Sequence, residues 1–154
     1  MLKAIDIMTL NPITVSPDTE IIKAAELLLQ KRINGLPVVD NAGKLVGIIC
    51  QSDLIAQQKK IPLPSFFTFL DGFITTTSYK QVEKQAEKIA ASVVSQAMTR
   101  NPVTVNPDTT IETIAALMVD NGFHTLPVVE NNTLIGIVGK EDILKTLITN
   151  RKDA

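Results

Sequence analysis

The side chains that most often carry catalysis are scarce in this sequence. Its 154 residues include one cysteine, Cys50, and one histidine, His124. These two could form a nucleophile and base pair only if the fold brought them into one cleft. No C-x-x-C or H-x-x-x-H spacing indicates a metal site, and no glycine-rich phosphate loop follows a predicted strand. The sequence therefore predicts a protein that is not an enzyme and that has no catalytic cofactor and no metal.

Two aspartates stand at matching places and are better candidates for binding. Asp53 and Asp142 each lie six residues after a glycine, Gly47 or Gly136, and close to the predicted start of a helix. A carboxylate there can serve only to stabilise the helix, a role worth about 0.5–2 kcal/mol in a good cap. It can also accept hydrogen bonds from the hydroxyls of a ligand. The two roles are compatible, and both stay open.

Both aspartates belong to a repeat. Residues 8–54 and 98–143 align at an offset of 90, which falls to 89 after one gap opposite Lys44, and 21 of 46 aligned pairs are identical. A unit repeated only twice predicts a pseudo-symmetric pair packed face to face, because a solenoid needs three or more repeats.

Each copy shows the pattern of a strand, a helix, two strands and a second helix. The long helix of the first copy has one broad apolar face that includes Leu29. In the second copy, Thr109 and Glu112 match a capping box. The elements predicted for the first copy are a leading helix at residues 3–8, a strand at 13–15, a helix from Ile21, strands at 36–39 and 45–49, and a helix opened by Ser52 and Asp53.

An insertion with no counterpart in either copy separates the repeats. It contains four phenylalanines within eight residues, Phe66 to Phe73, followed by a predicted amphipathic helix. These rings either pack on their own repeat pair or form an interface between subunits, where clustered aromatic residues commonly act as anchors. The second reading predicts a homodimer.

Composition limits the partners. The net charge is −1 and the basic residues are scattered, so a nucleic-acid partner is not expected. No apolar stretch approaches the roughly 20 residues of a membrane-spanning helix, and the first residues do not resemble a signal peptide. A single cysteine suits a reducing compartment. We expect a cytoplasmic protein without membrane contact.

The ordered elements N-P-[IV]-T-V-x-P-D-T, L-P-V-V and G-[IV]-[IV]-x-x-x-D, present twice, resemble a tandem of CBS domains (a Bateman module) of the small stand-alone prokaryotic type. The resemblance implies an α/β fold of two pseudo-symmetric β-α-β-β-α domains packed sheet to sheet. The expected limits are 1–56 for the first domain, 57–90 for a helical insertion and 91–154 for the second domain.

Such modules often bind adenosine compounds in the cleft between the domains, namely AMP, ADP, ATP, S-adenosylmethionine or a dinucleotide. They act as regulatory sensors and often form flat dimers, so the resemblance also implies a regulated protein partner, which the sequence does not identify. The resemblance assigns Asp53 and Asp142 to ribose. It assigns the apolar residues of the implied site to the walls of the purine slots, although residue type alone favours a place in the core for each of them. The implied ligand-binding residues are Ile13, Thr14, Asn34, Pro37, Val38, Cys50, Asp53, Val103, Thr104, His124, Pro127, Val128, Gly139 and Asp142.

The chain departs from the family pattern at the phosphate. Where the family often has a serine or threonine three residues after the glycine, this chain has Cys50 and Gly139, and neither replaces the hydroxyl well. His124 matches a position that is often basic, and the first copy has Asn34 there, with Arg32 nearby as a helix-end residue. We therefore expect Asp142 and His124 to mark the stronger site, in the second half. The alternative is a structural or protein-interaction module with no nucleotide ligand.

Overall fold

The computed structural model describes residues 1–60 and 92–152, as two halves joined by the residues between them. The first half contains the helices α1 (Ala4–Ile7), α2 (Ile21–Lys31) and α3 (Gln51–Lys60) and the strands β1 (Thr9–Leu10), β2 (Gly35–Val39) and β3 (Leu45–Cys50). The second half contains a 3-10 turn (Val94–Gln96), the strands β4 (Thr99–Arg100), β5 (Thr125–Glu130) and β6 (Thr133–Gly139), and the helices α4 (Ile111–Asn121) and α5 (Lys140–Lys152).

Each half has a three-stranded sheet whose third strand comes from the other half. The strand orders are β2-β3-β4 and β1-β6-β5, and all pairs are antiparallel. Thr9 and Leu10 thus pair with Ile137 and Gly136, and Arg100 pairs with Gly47. We call residues 3–10 and 93–100 the first and second lead segments. Each lead segment includes the first residues of its own repeat but pairs with the opposite repeat.

Gly47 and Gly136 occupy equivalent positions in the two copies, and each has a steric reason to be glycine, because a lead strand of the other half packs against it. A Cβ on Gly47 would lie 2.6 Å from Met98 Sδ and 2.9 Å from Thr99 O. A Cβ on Gly136 would lie 2.7 Å from Met8 Sδ. Only glycine therefore lets the lead strand approach the central strand of each sheet.

The lead segments also close the two hydrophobic cores. Ala4 is fully buried among core residues of the second half, such as Ile114, and its N–H donates to Thr109 O at 2.8 Å. Val94 is fully buried in the first half's core, and its N–H donates to Thr19 O at 2.8 Å. Each core therefore depends on residues from both halves.

The two sheets meet on a pseudo-twofold axis. Gly35 and Thr125 occupy equivalent positions in the repeat, and a Cβ on Gly35 would lie 3.4 Å from Thr125 Cβ. An antiparallel bridge between Lys44 and Thr133 joins the halves at a second point. The predicted fold class, two β-α-β-β-α units packed sheet to sheet, is confirmed.

Three local predictions need correction. Residues 13–15 do not form a regular strand: pairing is confined to a parallel bridge from Val15 to Val38, since Pro37 has no N–H to donate to Ile13 at the next step of the ladder. The cap of α4 is one residue later than predicted, because Thr110 accepts from Thr113 N. Leu29 does not belong to the buried face of α2, since it is 75% exposed.

The phenylalanine-rich insertion and its predicted helix fall on residues 61–91, outside the described residues. The domain limits 1–56, 57–90 and 91–154 stay a prediction. Within the two described stretches, no helix combines the length and the apolar character needed to cross a bilayer.

Candidate functional site

Two cavities lie between the halves, one on each side of the pseudo-twofold axis. The Asp53 cavity has a volume of about 530 Å³ and the Asp142 cavity a volume of about 320 Å³. Both lie in the range of small-molecule sites. Each combines the helix-start aspartate of one half with the Asn-Pro segment of the other half, so neither cavity is complete within one repeat.

The Asp53 cavity has apolar walls and few charges. Its apolar side chains come from both halves and include Ile48, Ile55 and Phe123. The full lining is Asn34, Ile48, Cys50, Gln51, Ser52, Asp53, Ile55, Thr99, Asn101, Pro102, Val103, Asn121, Gly122, Phe123, His124, Thr125, Leu126 and Pro127.

Asp53 is held from two sides. Its Oδ2 accepts a hydrogen bond from Cys50 N at 2.8 Å, which is the backbone half of a capping box at the start of α3. Its Oδ1 accepts from the Thr99 hydroxyl at 3.2 Å, and Thr99 belongs to the second lead segment. Both oxygens of this carboxylate therefore already have a donor, although each oxygen has a further lone pair.

The Asp142 cavity carries more charge. Lys31, Arg32 and Lys145 face Glu141 and Asp142 among its lining residues, which gives a net charge of +1. The remaining lining residues are Thr9, Asn11, Pro12, Ile13, Ile33, Asn34, Gly35, Thr125, Ile137 and Gly139.

Asp142 is held from one side only. Its Oδ2 accepts from Gly139 N at 2.8 Å at the start of α5, as Asp53 does at α3. Its other oxygen has no hydrogen-bond partner among the described residues. Asp142 therefore combines a structural cap with an acceptor that remains available to a ligand.

Backbone conformation marks further residues that sequence reasoning missed. Asn11 and Asn101, which line the two cavities, have φ of 50° and 51°. Arg32 has φ of 53°, whereas its equivalent in the second repeat is a glycine, Gly122, with φ of 69°. An L-residue other than glycine in this left-handed region costs roughly 1–2 kcal/mol, less for asparagine. Two features of the sequence could have indicated these residues: the Asn-Pro pair present in both repeats, and the alignment of Arg32 with a glycine, Gly122.

Cys50 lines the Asp53 cavity as a protonated thiol. Burial raises its pKa from 9.0 to about 11, and the Asp53 carboxylate adds to the rise. A thiol in this state is a poor nucleophile. Within residues 1–60 and 92–152, no group of three or more His, Cys, Asp or Glu side chains is placed to hold a metal ion.

The implied binding residues fall into three groups. Those that line the Asp53 cavity are Asn34, Cys50, Asp53, Val103, His124 and Pro127. Those that line the Asp142 cavity are Ile13, Asn34, Gly139 and Asp142. Pro37, Val38 and Val128 are buried core residues that line neither cavity, Thr14 is exposed outside both, and Thr104 lines a separate shallow depression.

The expectation that Asp142 and His124 mark one site is wrong. His124 lines the cavity that contains Asp53, and Asp142 lines the cavity that contains Arg32. The twofold arrangement is the reason: it places the helix start of each half opposite the β-strand entry of the other half. Lys31 and Arg32 of the first repeat accordingly line the Asp142 cavity, together with Lys145 of the second half.

Known proteins resemble this chain in sequence and in fold. The family model for the CBS domain matches residues 4–60 and 94–149. Protein MJ1426 of Methanocaldococcus jannaschii is 34% identical over 151 residues, which cover 93% of this chain and 89% of that protein. The chloroplastic CBS domain-containing protein CBSX2 of Arabidopsis thaliana is 31% identical over 142 residues, and the match spans only 60% of its length.

Solved structures extend the likeness to the fold. CBSX2 in complex with AMP has a TM-score of 0.74 at 28% identity, covering 98% of this chain and 99% of that chain. The CBS domain pair of protein MJ0100 in complex with 5′-methylthioadenosine and S-adenosyl-L-methionine has a TM-score of 0.71 at 28% identity, covering 97% and 98%. With both repeats matched by the family model and the pair matched by these structures, the chain belongs to the CBS-domain family and carries a tandem pair of CBS domains.

Proposed function

We propose that this protein is a regulatory module that senses an adenosine-containing compound in the cavities between its two CBS domains. The observation that carries the proposal is the composition of each cavity, in which a helix-start carboxylate faces apolar walls and an Asn-Pro segment of the other half. Such a carboxylate suits the hydroxyls of ribose, and apolar walls suit a purine. Binding, without chemistry on the ligand, is the proposed activity.

The relatives support the class of ligand. CBSX2 is seen with AMP, and the MJ0100 pair with 5′-methylthioadenosine and S-adenosyl-L-methionine. All three contain adenosine, which is the part that the aspartate and the apolar walls would recognise.

A homodimer is the proposed assembly, through which a ligand signal would reach a partner protein. Leu144, Leu147 and Ile148 are exposed along one side of α5, at the spacing of a helical stripe. Leu29 and Val119, at equivalent positions of α2 and α4, are 75% and 81% exposed. Sedimentation at micromolar concentration should give about twice the chain mass of 16.7 kDa, and a monomer would contradict this part of the proposal.

A structural or protein-interaction module without a nucleotide ligand is the second candidate. The capping bonds of Asp53 and Asp142 favour it, because they give both aspartates a role that needs no ligand. The exposed apolar side chains of α5, Leu144, Leu147 and Ile148, would then form the surface that binds a partner protein.

Thermal melting with a small panel of compounds separates the two candidates. AMP, ATP, S-adenosylmethionine and NADH would each be added in turn to the full chain. A ligand at about 100 times its Kd adds roughly 2.7 kcal/mol, which raises the Tm by several degrees. A rise with at least one compound is the expected result. No shift with any of them would favour the structural module.

A further inference from the structure

We propose that the two cavities take different classes of adenosine compound: the Asp142 cavity binds one that carries phosphate, such as AMP, and the Asp53 cavity binds one without phosphate. This inference rests on the proposed function and assigns a ligand class to each site. It follows from the charges that the repeat places differently on the two sides of the axis.

Equivalent positions of the two cavities carry different side chains. Where the Asp142 cavity has Lys31 and Arg32, the Asp53 cavity has Asn121 and Gly122. Counting the Asp, Glu, Lys and Arg side chains of each lining, the Asp53 cavity has a formal charge of −1 from Asp53 and the Asp142 cavity a formal net charge of +1. A phosphate dianion therefore gains attraction in one cavity and meets repulsion in the other.

Arg32 has the character of a ligand-binding residue rather than of an ordinary helix end. It ends α2 in the left-handed conformation, where glycine is the usual choice and where the second repeat does have glycine. Its guanidinium has no hydrogen-bond or ion-pair partner among the described residues. The backbone N–H of Arg32 caps α2 on Leu28 O and Leu29 O, but no side-chain contact in the described structure offsets the cost of its positive φ.

The chemistry of the guanidinium indicates the missing partner. Its planar N–H donors match two phosphate oxygens at once, and it stays charged at every physiological pH. Asp142 offers its unoccupied oxygen in the same cavity. A ligand with ribose hydroxyls at one end and phosphate at the other satisfies both groups.

The Asp53 cavity offers the opposite chemistry. It is the larger of the two, its apolar walls include Ile55 and Phe123, and its lining contains no lysine or arginine. Asp53, held by hydrogen bonds from Cys50 N and Thr99 Oγ1, places its carboxylate in the lining of this cavity. An uncharged or cationic adenosine compound fits there.

AMP and adenosine form a matched pair of probes, because they differ only by the phosphate. Calorimetry on the full chain should show one tight AMP site per chain. Arg32→Gly should weaken AMP binding about 10- to 100-fold, the effect of losing a charge-assisted contact, and leave adenosine binding unchanged. Arg32→Lys should recover part of the loss. Lys23→Gln, which removes an exposed cation of α2 away from both cavities, should bind both probes as the wild type does.

Exchanging the residues at positions 32 and 122 should transfer the preference for AMP from the Asp142 cavity to the Asp53 cavity. Gly122 lines the Asp53 cavity, and a Cβ there would have no neighbour within 4 Å, so Gly122→Arg begins without a clash and repeats the backbone of Arg32. In the Arg32→Gly/Gly122→Arg double variant, tight AMP binding should return and should now be lost on Asp53→Asn rather than on Asp142→Asn.

Three results would overturn the inference. One is a wild type that binds AMP no more tightly than adenosine, and another is an Arg32→Gly variant with full AMP affinity. The third is AMP binding that depends on Asp53 in the wild type. In all three the proposed adenosine-sensing function survives; only failure of both AMP and adenosine to bind would remove the function together with the inference.

Discussion

The hydroxyl of Thr99 donates a hydrogen bond to Asp53 Oδ1 at 3.2 Å, although 46 residues separate them in the sequence. The bond fastens the second lead segment to the helix-start aspartate of the first half. The equivalent pair, Thr9 and Asp142, shows no such bond in the described structure. The two cavities therefore differ in how firmly their aspartates are held as well as in charge.

Thr99→Val should destabilise the protein more than Thr9→Val. Both threonines are exposed residues of two-residue lead strands, so the variants differ mainly in the bond to Asp53. We expect a difference of about 0.5–1.5 kcal/mol in the free energy of unfolding, the usual net value of one hydrogen bond. Urea denaturation of the two variants measures it, and equal losses would contradict the assigned role of Thr99.

Asp142→Asn should weaken the binding of AMP by one to two decades. Asparagine keeps an oxygen for the cap with Gly139 N but removes the charge from the contact with the ligand, worth roughly 1.5–3 kcal/mol. Calorimetry gives the Kd. Asp18→Asn removes an exposed carboxylate outside both cavities and serves as the control. Unchanged affinity in Asp142→Asn would exclude Asp142 from the site.

Arg32 and Gly122 should respond to substitution in opposite directions. Arg32→Gly should raise the free energy of unfolding by about 1 kcal/mol, because glycine adopts positive φ without a steric cost. Gly122→Ala should lower it by a similar amount, for the same reason. Thermal melting without ligand tests both. Destabilisation by Arg32→Gly would mean that Arg32 makes a structural contact in the folded protein.

Gly136→Ala should be strongly destabilising. The added methyl group would meet Met8 Sδ at 2.7 Å and Thr9 O at 3.0 Å, which forces the first lead strand away from β6. We expect a loss of about 1–3 kcal/mol, as for other overpacked sites. Gly139→Ala, in the same strand, would place its methyl group no closer than 3.7 Å to Asp142 Oδ2 and should cost less. Equal losses in chemical denaturation would refute the steric role of Gly136.

Cys50 should react slowly with alkylating reagents. With its pKa raised from 9.0 to about 11, the folded protein should hold about 100-fold less thiolate at pH 8 than the unfolded chain. The rate should rise about tenfold per pH unit up to pH 11. Stability contributed by the protonated thiol should be complete below pH 9 and should be lost as the pH rises towards 11, a loss absent in Cys50→Ala. Rapid alkylation at pH 7 would contradict the burial of this thiol.

The sequence was sufficient for the fold class and insufficient for the pairing across the axis. The offset of the repeat identifies Asp53 with Asp142 and Asn34 with His124, since equivalent residues have equal places in their own halves. It does not say which half faces which cavity, so the grouping of Asp142 with His124 was wrong. Arg32 was interpreted as a solvated helix end because its positive φ becomes evident only in the folded backbone.

Local sequence patterns also did not predict the pairing of the lead segments. Thr9 and Leu10 pair with residues more than 120 positions away, and two residues are too few for a periodic signal. The helix at residues 4–7 was predicted, but its burial in the second half's core was not.

The exchange of lead segments bears on how the protein unfolds and on how it can be divided. Because Ala4 completes one core and Val94 the other, neither half can lose its structure without exposing apolar surface in its neighbour. Heating should therefore give a single cooperative transition rather than two. Two fragments cut within residues 61–91 should each remain unfolded alone and should regain the native structure when mixed, since each carries the strand that the other lacks.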